Sequence, residues 1–386
     1  SLNASGIQWS EIQQGVTTSM TFDFRTLLAE KLPLGEYEFL VSVLDAEQQY
    51  VEIPIKVKVV PDVEVSTISV DPWAKFAYVY AQYNTEEEPE GLGIKYKKAS
   101  DSDWSDFTGT LTKDGAKFSA KVTGLEPNTA YQFKAVTTKD DKEDNVIAAT
   151  TERADQLPYM NMDVWFQGGD AWYPGTDAGS LFWDSANGGT ADYGYVPTVP
   201  EETNVISGKA AKLSTIEAKV AIITKLAAGN LYTGEFKSVV MTGGGGAELD
   251  FGRPYTCRPT SFKGYVDYRP AKVSKYCDSK FTSLLSGKDD HGQIFVMLTD
   301  WTAPFRVKTT EGVFTSEDDP SVIAYGSATY TTNTNGYVEF NIPIEYRDNR
   351  KPSYILVVCA ASKYGDYFTG GVGSVMYVDE MSFSFD

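Results

Sequence analysis

Three tryptophans, Trp165, Trp172 and Trp183, fall inside one Gly- and Asp-rich stretch, DVWFQGGDAWYPGTDAGSLFWDSANGG. An aromatic ring is a flat apolar face with a large contact area and a low entropy cost. The axial C–H groups of a sugar lie well against such a face, while polar side chains read its hydroxyls. Trp172-Tyr173-Pro174-Gly175 has the composition of a loop, where an aromatic is hard to bury. Trp183 follows Leu181-Phe182, and Trp301, in LTDWTAPF, follows the strand-like run QIFVML. Core packing and ligand contact both remain open for these rings. Trp165, between Val164 and Phe166, reads as a core residue of a strand.

The same stretch spaces Asp163, Asp170, Asp177 and Asp184 every seven residues. Two carboxyls at a defined separation, one protonated and one ionised, are what a glycosidase needs. Asp is equally a preferred turn residue, and a heptad has no meaning without a helix. Carboxylates on loops also suit calcium, a hard cation that takes oxygen ligands. Asp379 in VMYVDEMSFSF and Asp184 in DSAN are the candidate ligands of a structural calcium. No D-x-D-x-D-G loop occurs, which excludes an EF-hand.

Other chemistries are constrained by scarcity. The chain has one histidine, His291 in GKDDHGQIF, so a Ser-His-Asp or Cys-His triad and most zinc sites would have to use it. Its polar turn reads as solvated. The cysteines Cys257, Cys277 and Cys359 show no C-x-x-C spacing. Cys359, in YILVVCAAS, reads as an inert core thiol, and Cys257 could pair with Cys277. MTGGGGAELDFG lacks the Gly-Lys-Ser/Thr and the following helix that a phosphate loop requires, so it reads as a turn. Ser286-Gly287-Lys288 fails for the same reasons.

The elements that must position these residues are strands. Short runs of β-branched and aromatic residues alternate with polar ones, punctuated by Gly, Pro, Asn and Asp. One helical turn is predicted, at Arg25–Leu32. The fold class is all-β. Three modules are expected: a small Ig-like unit over 1–61, a β-sandwich over 62–152, and a large sandwich over 155–386. With 386 residues, 42% hydrophobic and 23% charged, there is material for real cores. A net charge of −19 repels phosphate backbones, so nucleic acid is excluded as a partner and an anionic membrane surface is disfavoured. No apolar run reaches bilayer-spanning length. SLNASGIQWS carries neither a basic nor an apolar leader region, as in a chain that starts after a removed export signal. Asn3-Ala4-Ser5 fits a glycosylation acceptor.

VTGLEPNTAYQFKAV resembles the E–F corner of fibronectin type III domains. The resemblance implies Leu125 as a core plug, Pro127 setting the turn, and Tyr131 as the corner tyrosine whose hydroxyl bonds the backbone. That family carries a tryptophan inside its second strand; here KFAYVYAQYN has none, and Trp73 lies just before it.

Three further blocks, RPTSFKGY (Arg258–Tyr265), SKYGDYFTGGVGS (Ser362–Ser374) and the closing YVDE, occur in order with LFWDSANGG upstream. Together they resemble the carbohydrate-metabolism domain family of Bacteroidetes surface proteins. The resemblance implies a jelly-roll sandwich similar to carbohydrate-binding modules. It also implies export, as a lipid-anchored lipoprotein of the cell surface or a secreted protein, in polysaccharide utilisation or adhesion. In related sandwiches an acid of the last strand ligates structural calcium, and Asp379 matches by position. Gly365, Gly370, Gly371 and Gly373 would permit a tight backbone in the 362–374 loop. Tyr364, Tyr367 and Phe368 would then cap the core or line a concave face.

The expectation is an exported surface protein that binds polysaccharide or another glycoconjugate through Trp172, Tyr173, Trp183, Trp301, Tyr364 and Tyr367, with no catalytic residue assigned. A glycoside hydrolase using the acids of 163–184 is the alternative. An adhesin or structural protein that binds other surface proteins is the third.

Overall fold

The computed structural model describes residues 35–44, 50–59 and 63–386. The helical turn expected at Arg25–Leu32 and much of the first module lie outside the described residues. Every strand pairing among the described residues is antiparallel. The first two strands, β1 (Gly35–Leu44) and β2 (Tyr50–Val59), form a hairpin.

Eight strands follow: β3 (Val65–Pro72), β4 (Phe76–Tyr83), β5 (Gly93–Lys98), β6 (Ser105–Asp106), β7 (Thr112–Asp114), β8 (Lys117–Thr123), β9 (Ala130–Val136) and β10 (Ile147–Thr150). They make two four-stranded sheets, β3-β4-β8-β7 and β10-β9-β5-β6. Period-two patterning decides which residues go inside. In β8, Phe118, Ala120 and Val122 are buried between exposed Lys117 and Lys121, and they meet Val79 and Phe133 in one core. Leu125 is buried, and the Tyr131 hydroxyl accepts the Glu126 N–H at 3.0 Å. A five-residue corner thus satisfies a backbone donor that would otherwise lose its water.

The remaining chain opens on β11 (Trp165–Gly168) and β12 (Ala171–Pro174), then β13 (Trp183–Asp184), β14 (Thr198–Glu201), β15 (Ala210–Ser214), β16 (Ile216–Val220) and β17 (Ile223–Ala227). It continues through β18 (Asn230–Val240), β19 (Gly246–Phe251), β20 (Arg253–Pro254), β21 (Ser261–Arg269), β22 (Gly292–Thr299) and β23 (Phe305–Lys308). It closes with β24 (Val322–Tyr330), β25 (Val338–Pro343), β26 (Glu345–Tyr346), β27 (Tyr354–Ala360) and β28 (Val375–Ser384). A smaller sheet, β14-β15-β28-β21-β25, faces a larger one, β23-β19-β18-β27-β22-β24-β26. This is the jelly-roll sandwich. Short helical turns at Asn187–Thr190 and Thr282–Leu285, absent from the sequence expectation, sit in its connections. Four residues are too few to show a 3.6-residue period.

The larger sheet is apolar on both faces. In β22 and β27, Ile294, Val296, Leu298, Ile355, Val357 and Cys359 point into the core between the sheets. Phe295, Met297, Leu356 and Val358 point the other way, into a second cluster with Tyr232, Leu249, Phe251 and Val307. An antiparallel sheet with one wet face alternates apolar and polar residues; this one does not. Strand β18 pairs with β27 through Tyr232 and with β19 from Gly234 onward. A Cβ on Gly234 would lie 2.3 Å from the Asp250 carbonyl oxygen, so glycine alone allows that close approach. A register shift follows between Phe236 and Ser238, the kind of bulge that bends a strand.

A charged seam joins this sandwich to the one before it. Arg258, 1% exposed, forks to Glu152 (3.0 and 3.1 Å) and to Asp71 (2.9 Å), and donates to the Pro72 carbonyl (3.0 Å). Its guanidinium lies 4.1 Å from the Trp73 ring centre, and Tyr346 meets that ring edge-on at 4.8 Å. Trp73 therefore packs in the seam and not in the core of β3–β10. Ala74 joins the jelly-roll core. Removing one partner of a buried ion pair leaves the other charge stranded, at about 3–5 kcal/mol. Arg258→Ala is expected to lower unfolding free energy by that amount in urea titrations followed by tryptophan fluorescence. Arg258→Lys should recover only part, because a compact ammonium lacks the planar fork that reaches Glu152, Asp71 and the Pro72 carbonyl while lying over the Trp73 ring. An unchanged midpoint in Arg258→Ala would show that the seam contributes no stability.

Candidate functional site

The outer face of the larger sheet carries a trough of about 370 Å³. Phe295, Met297 and Val358 form its floor with Phe251 beside them. Phe314, from the segment between β23 and β24, and Tyr325 wall it, with Phe295 and Tyr325 centred 6.0 Å apart. The 362–374 loop closes one end through Lys363, Asp366 and Tyr367, and Tyr367 meets Phe314 at 4.7 Å. Gln293, Thr315, Ser316, Glu317 and Asp318 supply polar edges.

A second, smaller chamber of about 140 Å³ lies beyond the trough. The β16–β17 hairpin contributes Ala218, Val220, Ile223 and Leu226, and β18 and β19 contribute Phe236, Val239 and Leu249. Lys225 crosses its wall, but its charge is already engaged. The ammonium donates to the Gly245 carbonyl at 2.6 Å and sits 3.8 Å from the Phe368 ring centre. Burial alone lowers its pKa. Phe368 holds φ at 51°, a left-handed conformation rare for an aromatic, of the kind that clusters at ligand clamps.

Trough and chamber share Ala228, Asn230, Tyr232, Gly365 and Asp366. A Cβ on Gly365 would stand 2.4 Å from the Ala228 Cβ, so this glycine lets the loop lie against the start of β18 and brings Asp366 in. Burial pushes the Asp366 carboxyl up to about 6. Tyr232 is fully buried, and its hydroxyl has no hydrogen-bond partner among the described residues. Burial, then the charges of Asp184 and Asp366, raises its pKa well above normal. Asp184 is also buried and pushed up to about 6, although it accepts the Phe236 and Ser185 N–H groups at 2.7 Å each.

The residues singled out from sequence go to different places. Tyr367 lines the trough. Tyr364 stacks on Phe281 at 4.2 Å, in a side cluster with Val273 and Leu285. The loop thus both packs down and lines the concave face. Trp183 is 0% exposed in the main core and donates to the Pro158 carbonyl at 2.7 Å, so it has no face to offer a ligand. Trp172 and Tyr173 lie on β12, outside both cavities. Tyr173 stacks on Phe166 at 5.4 Å, and the Trp172 carbonyl accepts from Asn187. Trp301 packs on Phe305 at the rim of the outer cluster and donates to Ser321 at 2.8 Å. The four spaced acids do not act together. Asp177 caps the turn Ala178–Ser180, Asp163 accepts the Lys209 N–H, Asp170 is exposed in the β11–β12 turn, and Asp184 is buried.

Both acids named as calcium ligands already accept backbone N–H groups. Asp379 is buried and ringed by the N–H groups of Ile206, Ser207 and Glu380, at 2.6, 3.3 and 2.8 Å. Both Asp184 oxygens likewise face N–H donors. Among the described residues no three His, Cys, Asp or Glu side chains gather at one point. Cys257 and Cys277 are free thiols, not a pair, and Cys359 is buried. His291 is half-buried, and burial lowers its pKa.

Phe251, Phe295, Phe314, Tyr325, Tyr232 and Asp366 were not singled out from sequence. Only Phe295 lies in a stretch that carried a signal, the continuous apolar run QIFVMLT, which together with YILVVCA implies a covered second face.

An antiparallel sandwich with an aromatic trough on its larger sheet is a β-sandwich with a ligand-sized concavity. Residues 164–384 match the family described as "Putative carbohydrate metabolism domain", and the chain belongs to that family. It is a carbohydrate-related domain. Among solved structures, it is similar to one titled a putative glycoside hydrolase from Bacteroides vulgatus, at 20% identity, 60% of this chain, 98% of that chain and TM-score 0.45. A second, titled a putative glycoside hydrolase from Bacteroides thetaiotaomicron, shows 17% identity over 86% of this chain and 99% of that chain, with TM-score 0.46. The CBM22 tandem domain of Paenibacillus barcinonensis Xyn10C shows 9% identity over 91% of this chain and 93% of that chain, with TM-score 0.23. No curated protein matches the chain.

Asp366 gives a stability test. Its folded pKa of about 6 exceeds the unfolded value of about 3.9, so the folded state binds this proton more tightly. Its contribution favours folding at low pH and is lost as pH rises through 6. Asp366→Asn should therefore raise stability by about 1–3 kcal/mol at pH 8. The gain should shrink toward zero by pH 4, as read from thermal melts of both proteins. An equal gain at both pH values would contradict the raised pKa.

Proposed function

We propose that this is an exported bacterial surface protein that holds a glycan in the trough on its larger sheet. Its role would lie in polysaccharide utilisation or adhesion, with the sandwich β3–β10 as a spacer. The observation that carries the reading is the trough itself. Phe295, Tyr325, Phe314 and Tyr367 offer ring faces, and Gln293, Glu317 and Lys363 offer hydrogen bonds at their edges. Stacked aromatics take the C–H faces of sugar rings, and the polar edge reads hydroxyls. The charge of −19 favours a neutral glycan over an acidic one. Export is supported by the resemblance to Bacteroidetes surface proteins.

Affinity electrophoresis of the full chain against plant and host polysaccharides tests this. Retardation by one glycan is expected. Phe295→Ala or Tyr367→Ala should weaken it about 5- to 30-fold, the loss of one stacked ring. Trp172→Ala should leave it unchanged. Absence of retardation by every glycan would sink the reading and favour a protein-binding adhesin.

One observation favours a second reading, hydrolysis. Asp366 is a carboxyl poised near 6 inside the trough, with Glu317 and Asp318 lining the same space. A glycosidase needs one such protonated acid and one ionised partner. Release of reducing ends from the retained glycan, abolished in Asp366→Asn with retardation intact, would establish it. Retention without release would leave binding alone.

A further inference from the structure

The chamber beside the trough is walled mostly by apolar residues, among them Ala218, Val220, Leu226 and Leu249. A bare sugar placed there would leave its hydroxyls without partners, and water would gain little. At about 140 Å³ it is close to the roughly 150 Å³ of an engineered apolar cavity that takes one benzene ring. The trough, by contrast, suits sugar. At the waist between them the protein leaves two polar groups without protein partners. The Tyr232 hydroxyl is buried and unpaired, a state that costs about 1–3 kcal/mol in an empty site. No described side chain donates to the Asp366 carboxyl. A buried donor and an acceptor on either side of a waist match a ligand that crosses it with an oxygen. The linking ether or ester oxygen would accept from Tyr232, and a sugar hydroxyl would donate to Asp366.

We propose that the site takes a glycan or glycoside bearing one ring-sized apolar substituent, with that substituent in the chamber, the sugar in the trough and the linking oxygen beside Tyr232. The proposal rests on the glycan reading of the trough. It makes the protein selective for decorated or aryl-linked sugars over the undecorated polymer.

Isothermal titration of the full chain with matched methyl and phenyl glycosides of glucose, galactose, mannose, xylose and N-acetylglucosamine tests it, with phenol as the sugar-free control. For the sugar that binds, the phenyl glycoside should bind at least about 10-fold tighter than the methyl glycoside. Ala218→Phe, which fills the chamber, should bring that ratio to about one without changing the methyl glycoside. Val239→Trp, filling from the exposed rim, does the same where Ala218→Phe fails to fold. Tyr232→Phe should weaken both glycosides, which share the linking oxygen, by a similar factor while leaving the fold intact. Equal affinity for both glycosides in the unmodified protein would overturn the inference and leave the trough reading standing. A phenyl preference that survives the filled chamber would also overturn it, as would phenol binding as tightly as the phenyl glycoside. No binding by either glycoside of any sugar would bring down the trough reading and the inference with it.

Discussion

The larger sheet of the jelly roll has no face it can show to water. Strands β22 and β27 carry apolar side chains on both sides, and everything else in this region answers to that. One face is satisfied by the opposing sheet. The other face must be covered from the protein itself, and several connections converge on it: the β16–β17 hairpin, the segment around Phe314 and the 362–374 loop. They cover it incompletely. What lies between them is a trough with an apolar floor and a polar rim, and a mostly apolar chamber that adjoins it at Tyr232 and Asp366. The candidate site is the unfinished part of a second core.

Two glycines and one strained residue set the shape of that part. Gly234 lets β18 change partners at close range, so the strand that supplies Tyr232 to the outer face can continue toward β19. Gly365 lets the last loop settle onto the start of β18 with no intervening side chain. Phe368 in a left-handed conformation then completes the chamber under Lys225. The cost of these conformations, with an unpaired Tyr232 hydroxyl and two carboxyls held near pH 6, is borne at one place. At the Tyr131 corner and the Asp177 turn, by contrast, polar groups find partners close by in sequence.

That locality explains what the sequence disclosed. Period-two patterning revealed an all-β chain because alternation is a property of each strand alone. The Tyr131 corner was legible because its donor and acceptor lie five residues apart. The 362–374 loop was legible as a packed aromatic connection because its glycines and rings are contiguous. Exposure of the tryptophans was not legible, because it depends on which distant strands arrive above them. Trp183 was open between core and ligand contact and is covered on every side; Trp73, just before the strand expected to hold a core tryptophan, fills the seam. The trough aromatics come from separate strands and loops, and nothing local marks Phe295 as facing outward beyond the excess of apolar residues around it. Arg258 sat in a recognised block, yet its role depends on Asp71 and Glu152, far away in the chain.

The seam that Arg258 makes has a mechanical consequence. An apolar contact between two modules can slide, because its energy changes little with rotation. A guanidinium forked to two carboxylates and stacked on an indole has a preferred direction at each contact, so twist and shear both stretch hydrogen bonds. Rotation or shear of one module against the other would first have to stretch the contacts of Arg258 with Glu152, Asp71 and Pro72.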